Sequence, residues 1–401
     1  MIVRFDLRRI ACSGPQREFV ERHPIRIWWK SALGLLLAIG FTASSSADDI
    51  DDFVQAQMEK LRIPGLTLAV VQDGTVVKQQ AYGLANVEFE VPIQTDTVFL
   101  IASITKTFTA AAILSLLEEG KLSLDDSVTK FLPVLPASWA PATIRHCLAH
   151  VSGLPDVTDA EGNLVADSRS DVFRELTARP IETPGERVVY NQTGYVILGM
   201  IIEEVSGLEF KDFIDDRLLR PLGLRNTSFG DRRDVVPGRS SMYTIFEPSL
   251  DRMSTLRGEP GPDDPFEGWV VSPKAIYKAN DYVYASFMHP AAGMNSTIED
   301  MVQWEVALAS GTVLGAATLE QAATPFELNN GESGRFGLGW IVGSRNGHRT
   351  MEMGGGWATR HLRFPDDNLS VIVLTNLQGG EQGALAMGVA SFFSPDLKLE
   401  L

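Results

Sequence analysis

Cysteine is scarce in this 401-residue chain, which has only Cys12 and Cys147. Two thiols cannot build a disulfide scaffold or a four-cysteine zinc site. Cations are also in deficit, with 35 Lys and Arg against 51 Asp and Glu and a formal net charge of −16. With no surplus of cations to displace phosphate counterions, the composition argues against a nucleic-acid partner. No His-Glu-x-x-His or clustered Cys/His spacing occurs, and His146, His289 and His348 are isolated, so the sequence gives metal catalysis no support. Gly-x-Ser-x-Gly is missing, which argues against an α/β-hydrolase nucleophile elbow. Gly354, Gly355 and Gly356 lack the Lys-Ser/Thr that follows in a phosphate loop. Internal repeats and low-complexity tracts are absent as well.

No apolar run reaches the roughly twenty residues of a membrane span. The longest candidate, residues 31–43, is shorter, follows a basic flank, and ends in Ser44-Ser45-Ser46-Ala47. Basic flank, short apolar core and small-residue exit predict a secretory signal over 1–47, with an uncleaved N-terminal anchor as the other reading. The expected location is therefore exported, periplasmic or secreted, with membrane association only through this segment. The remaining residues, 48–401, carry 28 basic and 48 acidic side chains, a net charge of about −20. With 44% hydrophobic and 21% charged residues, the composition is that of an ordinary globular chain. Its length fits two or three domains or one large two-lobed body.

Apolar spacing predicts a helix over 48–61 and a buried strand over 66–71. Asp73-Gly74 then predicts a hairpin into a second strand over 75–82. A long apolar helix is expected over 103–119, closed by Gly120. Further helices are expected over 144–149, 193–205, 210–219, 297–309 and 384–393, and a long loop region over 231–268. Strands return at 336–342, 350–353, 361–364 and 369–374. Strands at both ends with helices between them predict an α/β (α+β) fold. Its antiparallel sheet is built from both chain ends and flanked by helices, with an inserted, mostly helical lobe. The α/β part spans about 48–140 and 290–401, and the lobe about 141–289.

Ser103 and Lys106 lie where an extended run becomes the apolar helix. At i and i+3 they share one helix face. A serine hydroxyl needs a nearby base to become a nucleophile, and a lysine amine serves once burial favours its neutral form. The helix N-terminus adds free N–H groups for a developing oxyanion. By itself Ser-x-x-Lys is more often a cap and a surface lysine. Here the apolar helix turns the pair towards an interior cleft.

The segment Thr97–Ala110, containing Ser103-Ile-Thr-Lys106, resembles the active-serine segment of serine β-lactamase-related hydrolases. That family includes class C β-lactamases, D-alanyl-D-alanine carboxypeptidases and β-lactamase-like esterases. Leu122–Asp126, His150–Leu154, Pro184–Glu186, Pro221–Leu224 and Gly293–Thr297 resemble its framework, in the family's order, from about residue 53 to 376. The resemblance implies the β-lactamase/transpeptidase-like fold and an acyl-enzyme mechanism without a cofactor. Tyr190 matches the tyrosine of the family's Tyr-x-Asn motif and would relay the proton of Ser103. Gln192 stands where the family has Asn, and its amide could still reach Lys106 or a substrate carbonyl. His150 reads as a hydrogen-bonded structural histidine.

The family's third motif, Lys-Thr-Gly or His-x-Gly, corresponds to Met353-Gly354-Gly355. By resemblance the N–H of Gly356 joins that of Ser103 as oxyanion donor. Trp357 is either a pocket wall or edge packing. Gly354 and Gly355 let a substrate lie against the strand backbone. Met353 replaces the expected cation, which points to neutral esters or small amides rather than carboxylate-bearing peptides or β-lactams. Arg360 and His361 lie just beyond and receive no role.

The expectation is an exported serine hydrolase acting on a small-molecule or peptide acyl substrate. Ser103, Lys106 and Tyr190 are catalytic. Gln192, Met353, Gly354, Gly355 and Trp357 bind substrate. The rivals are a D,D-carboxypeptidase or weak β-lactamase, and a catalytically weakened binding or regulatory domain.

Overall fold

In β1 (Gly65–Gln72) successive apolar side chains point to opposite faces and nearly all are buried, so helices must cover both sides. A computed structural model describes residues 45–159, 164–166, 168–231, 233–248, 269–271, 276–278, 285–356, 358–379 and 381–397. The elements that position the site are, in chain order, α1 (Ser45–Leu61), β1, β2 (Thr75–Asn86), β3 (Val91–Pro92), β4 (Phe99–Leu100) and α2 (Thr105–Glu118). They continue with α3 (Thr193–Ser206), β5 (Ser228–Phe229), β6 (Met294–Ser296), α4 (Ile298–Ala309) and β7 (Ile341–Arg345). The last are β8 (His348–Gly355), β9 (Thr359–Phe364), β10 (Leu369–Thr375) and α5 (Gln382–Ala390).

Seven strands form one sheet in the order β7-β8-β9-β10-β1-β2-β3, and every pairing in it is antiparallel. The first and last parts of the chain meet where β1 pairs with β10, Leu66 opposite Thr375. The β1–β2 turn is Asp73-Gly74, both at positive φ (50° and 71°), the backbone of a two-residue hairpin that matches strand twist. One sheet face turns Leu66, Leu68, Val70, Leu362, Phe364, Val371 and Val373 into a core with Ile50 and Val54 of α1 and Leu385 and Val389 of α5. The opposite face contributes Ala69, Val71, Met351, Met353, Ile372 and Leu374 to a larger core with α2, α3 and α4. Eleven of the fourteen residues of α2 are buried, so it is a central helix, enclosed on all sides. Phe108 of α2 stacks on Trp304 of α4 with ring centroids 4.0 Å apart. Among the described residues no helix is long and apolar enough to cross a membrane.

Several expected elements shift. The long helix begins at Thr105, and Ala102–Ile104 is a separate 3₁₀ turn in front of it. The strand expected over 336–342 starts only at Ile341. Before it the chain curls, with the Gly337 N–H donating to the Trp340 carbonyl and Gly339 at φ 105°. Part of the expected loop over 231–268 is strand. Tyr243–Thr244 pairs with Leu377–Gln378, and Phe246–Pro248 pairs with Trp269–Val271. Helices Arg169–Thr177 and Ala316–Ala322 were not expected. Residues 1–44 of the expected export segment lie outside the described residues, and its last three, 45–47, begin α1, whose helix was expected from 48.

A polar knot sits between α4 and the sheet. The buried Glu305 carboxylate lies 2.8 Å from His361 Nε2 and 2.8 Å from Arg363 Nε, and accepts from the Ser370 hydroxyl at 2.7 Å. Burial alone would push the Glu305 carboxyl up. The Arg363 charge and the His361 and Ser370 hydrogen bonds outweigh it and hold the group at about 2. A depressed acid stabilises the fold above its unfolded value near 4.5 and loses that contribution as pH falls through about 2. Wild-type Tm should therefore fall across that window. Glu305→Gln should start lower, by the roughly 3 kcal/mol scale of breaking a buried pair, and show a flatter pH dependence there. Thermal melts against pH check this, and parallel curves for both proteins would refute it.

Gly355 ends β8 against the segment that carries Ser103. A Cβ there would collide with the carbonyl oxygen of Ile101, two residues before the serine. Gly355→Ala should cost about 1–3 kcal/mol of stability, as overpacked cores do, and displace the strand end from Ser103. A melt that matches wild type would show that the contact has room to spare.

Candidate active site

Ser103 is held between two constraints. Upstream, β4 pairs with β6, and the Ile101 N–H donates to the Met294 carbonyl at 2.9 Å. Downstream, the N–H of Ile104 returns to the Ile101 carbonyl and starts the 3₁₀ turn. Ala102, between them, is forced to φ 42°, a left-handed conformation that costs a residue with a Cβ. The chain thus kinks immediately before the serine. Ser103 enters the first helical turn, where the leading N–H groups have no intrahelical acceptor.

Lys106 is completely buried. Its ammonium donates to Gln192 Oε1 at 2.7 Å and to the Ala291 carbonyl at 2.8 Å, and lies 3.5 Å from Ser103 Oγ. Its three protons thus face three neutral oxygens. The rings of Tyr190 and Tyr195 flank it, with centroids 4.9 and 5.4 Å away. The segment that supplies Ala291 braces the helix further. Thr109 Oγ1 donates to the Pro290 carbonyl, and Thr105 Oγ1 accepts from the Met294 N–H.

Tyr190 is 37% exposed and stands at the mouth of this arrangement. His150 holds it from behind, ring centroids 4.5 Å apart. The His150 carbonyl accepts from the Val189 N–H and its Nδ1 accepts from the Asn191 N–H, so one residue anchors both neighbours of the tyrosine. Burial, reinforced by the Lys106 and Arg335 charges, pushes the His150 imidazole well below its ordinary range. A neutral ring accepting at Nδ1 agrees with that, and His150 is structural as expected. Asn191 turns inward, donating to the Leu154 carbonyl and capping the Gly194 N–H. Gln192 alone of the two amides reaches Lys106.

The third segment lies beside the serine. Pairing of β7 with β8 stops at Ile341–Glu352, so among the described residues Met353–Gly355 pairs with β9 alone and its other edge has no strand partner. Met353 is 2% exposed and belongs to the same core as Ile101 and Ile104. Gly354 faces the opposite side, where the Arg360 guanidinium fills the space a side chain would need. Gly356 sits at φ 55° in the tight turn closed by the Ala358 N–H and the Gly355 carbonyl. Trp357 lies outside the described residues. The two basic side chains just beyond are occupied: Arg360 Nη1 is 3.4 Å from Glu352, and His361 is bound to Glu305.

The structure thus brings Ser103, Lys106, Tyr190 and Gln192 together and sets Gly355 against the serine's own segment. The sequence reading missed the Ala291 carbonyl and Asp156. Asp156 Oδ1 accepts from the N–H groups of Val157, Gln192 and Thr193. A backbone carbonyl carries no sequence signal, and Asp156 caps a helix that begins 37 residues later. The Asp156 position, two residues after the His150–Leu154 segment, was the one available hint.

The Beta-lactamase family matches residues 50–391. Penicillin-binding protein 4* of Bacillus subtilis (strain 168) is 30% identical over 329 residues, 79% of this chain and 69% of that protein. Protein flp of Staphylococcus aureus (strain MW2) is 33% identical over 193 residues, 46% of this chain and 39% of its own length. The octameric penicillin-binding protein homologue from Pyrococcus abyssi superposes with a TM-score of 0.67 at 26% identity, over 86% of this chain and 77% of that one. EstCE1, a hydrolase with promiscuous acyltransferase activity, gives 0.68 at 23% identity, over 86% and 98%, a likeness of fold. The match along the chain and the grouping of Ser103, Lys106 and Tyr190 have one explanation: the chain belongs to the β-lactamase family and is a serine hydrolase of that fold.

Proposed function

We propose that this protein is an exported hydrolase of neutral esters or small amides that works through an acyl-enzyme on Ser103. The observation that carries the reading is the buried Lys106 ammonium, shared between Gln192 and Ala291 within reach of Ser103, with the Tyr190 ring beside it. Ser103 Oγ attacks the substrate carbonyl carbon as its proton passes to the Lys106–Tyr190 pair once that pair has given up one proton, leaving either the Lys106 amine or the Tyr190 phenolate as the acceptor. The N–H groups of Ser103 and Gly356 receive the oxyanion. Collapse of the tetrahedral intermediate expels the alcohol or amine, which takes the proton back, and water then releases the acyl group by the same route. The edge of Met353–Gly355 that has no strand partner among the described residues gives the substrate a backbone to lie along. Export rests on the composition of residues 1–47.

The substrate class follows from charge. Where a carboxylate-binding cation is expected, Met353 offers an apolar side chain, and Arg360 and His361 are engaged by Glu352 and Glu305. One observation favours the second reading, a D,D-carboxypeptidase. Arg335 is exposed and stands over the Phe336 ring, 5.2 Å from its centroid, and that ring neighbours Tyr190. A terminal carboxylate would find its cation there.

Ser103→Ala should lower turnover of a short-chain nitrophenyl ester by at least about 10⁴-fold and abolish labelling by a fluorophosphonate. Unchanged turnover in that variant would falsify the mechanism. A wild-type protein that neither turns over the ester nor takes the label would favour a binding or regulatory role.

Ester and D-alanyl-D-alanine peptide turnover should separate the two substrate readings. On the ester reading Arg335→Ala leaves both rates as they were, and Met353→His raises kcat/KM for the peptide. A tenfold loss confined to the peptide in Arg335→Ala, about 1.4 kcal/mol of carboxylate recognition, would shift the assignment to the peptidase.

A further inference from the structure

We propose that Asp156 is a positioning residue of this active site, which fixes Gln192 against Lys106 and whose carboxylate charge sets the pH at which the Lys106–Tyr190 pair accepts the serine proton. This rests on the reading of Ser103 as nucleophile. Asp156 lies on the loop after the short helix Ile144–Leu148, far in sequence from both residues it governs. Its Oδ1 accepts from the Gln192 N–H at 3.0 Å, and the side chain of that same Gln192 accepts from Lys106 at 2.7 Å. Gln192, the residue at the N-cap position of α3, gives the helix no side-chain cap; Asn191 takes the Gly194 N–H, and Asp156, from outside the helix, takes the Gln192 and Thr193 N–H groups. One carboxylate oxygen thus fixes the backbone from which the lysine's partner reaches out.

The charge matters as much as the bonds. The titratable groups around the ammonium are Tyr190 and Tyr195, whose rings flank it, and His150 and Asp156. Tyr195 donates to the Leu148 carbonyl, and burial pushes its phenol well above the ordinary range, so it stays neutral. His150 is held neutral by burial and by the Lys106 and Arg335 cations. Asp156 is the anion of the group among the described residues. Burial pushes its carboxyl up, while the Gln192 and Val157 N–H groups, the Lys106 charge and the Thr193 N–H pull the other way. A negative charge near the pair favours the protonated form of both members. Its removal therefore moves the acid limb of the rate profile down, whichever member takes the proton.

Asp156→Asn separates charge from cap. All four hydrogen bonds of the carboxylate fall on Oδ1, which asparagine keeps. Fluorophosphonate labelling rate and ester kcat/KM are measured against pH for wild type, Asp156→Asn and Asp156→Ala, each with its melting curve. Asp156→Asn should keep Tm and move the acid limb of both profiles down by about one pH unit, the scale of one unit charge at effective dielectric about 20. Asp156→Ala should lose the cap as well, lowering Tm and lowering kcat more than it raises KM. Placed on Gln192→Ala, the Asp156→Ala change should lower kcat no further, because its positional effect runs through that amide. An Asp156→Asn profile that overlays wild type would overturn the charge role, and additive kcat losses in the double variant would overturn the positional one. Should Asp156→Asn fold poorly, Asp156→Ser removes the charge, keeps an oxygen acceptor and must show the same displaced limb. Failure of the underlying mechanism looks different: a wild type that takes no label, or a Ser103→Ala variant that does.

Discussion

A lysine ammonium cannot be taken out of water unless its protons find other oxygens, and Lys106 has no exposed surface at all. Its acceptors come from places far apart in sequence, the Gln192 side chain and the Ala291 carbonyl. Satisfying one buried cation therefore requires α2, the N-terminus of α3 and the segment before β6 to converge. The packing follows that requirement. Pro290 lies so close to α3 that a Cβ on Gly199 would collide with it, and Gly339 similarly admits the 337–340 curl against Ala110 of α2. The first contact presses the segment before β6 onto α3, and the second presses the curl onto α2, the helix that presents the lysine. Small residues let the backbones come close enough for the polar groups to meet.

A second constraint acts on the serine. The Ala102 backbone is strained, and such strain persists only where the surroundings over-determine it. They do so here from three directions: the β4–β6 pairing before it, the buried α2 after it, and Gly355 alongside. The Glu305 knot extends this beneath the sheet. His361 is in register with Met353, so the carboxylate from α4 holds the β9 residue that pairs with the strand end lining the site. Charges buried below the sheet thereby fix the placement of a strand whose own side chains at the site are methionine and glycine.

The degree to which this was legible follows from the range of each interaction. Period-two apolar runs, Asp73-Gly74 and the glycines at 120 and 207 are local signals, and the strands, hairpin and helix ends they marked are present. The 337–340 curl was misread as strand because Phe336, Leu338 and Trp340 alternate like one. Gly339 instead bends the chain to fit α2, and Gly337 fits it against the Ala322 and Thr324 carbonyls. The Ser103–Lys106 pair was visible because three residues separate its members. Its partners are set by tertiary contacts between distant segments. Gln192 was named because a motif pointed to it, whereas Asp156, Ala291 and Glu305 had only their side-chain types, or none, to announce them.

The two departures at Gln192 and Met353 are linked through the charge of the site. Were residue 353 a lysine or histidine, a second cation would stand on the face that Met353 shares with Ile101 and Ile104, and the buried positive charge of Lys106 would have a like-charged neighbour. With methionine there, Lys106 is matched among the described residues by the carboxylate of Asp156, and the two are joined through Gln192. A glutamine is the residue that makes this joint. Its backbone N–H binds the carboxylate while its longer side chain extends to the ammonium, whereas the adjacent Asn191 spends its amide on Leu154 and Gly194. A buried Lys106 cation offset by the half-buried Asp156 carboxylate exerts little long-range pull on a charged substrate from within a body near −20. On the function proposed above, selectivity then falls to shape and to the strand backbone rather than to charge, which suits an uncharged acyl group.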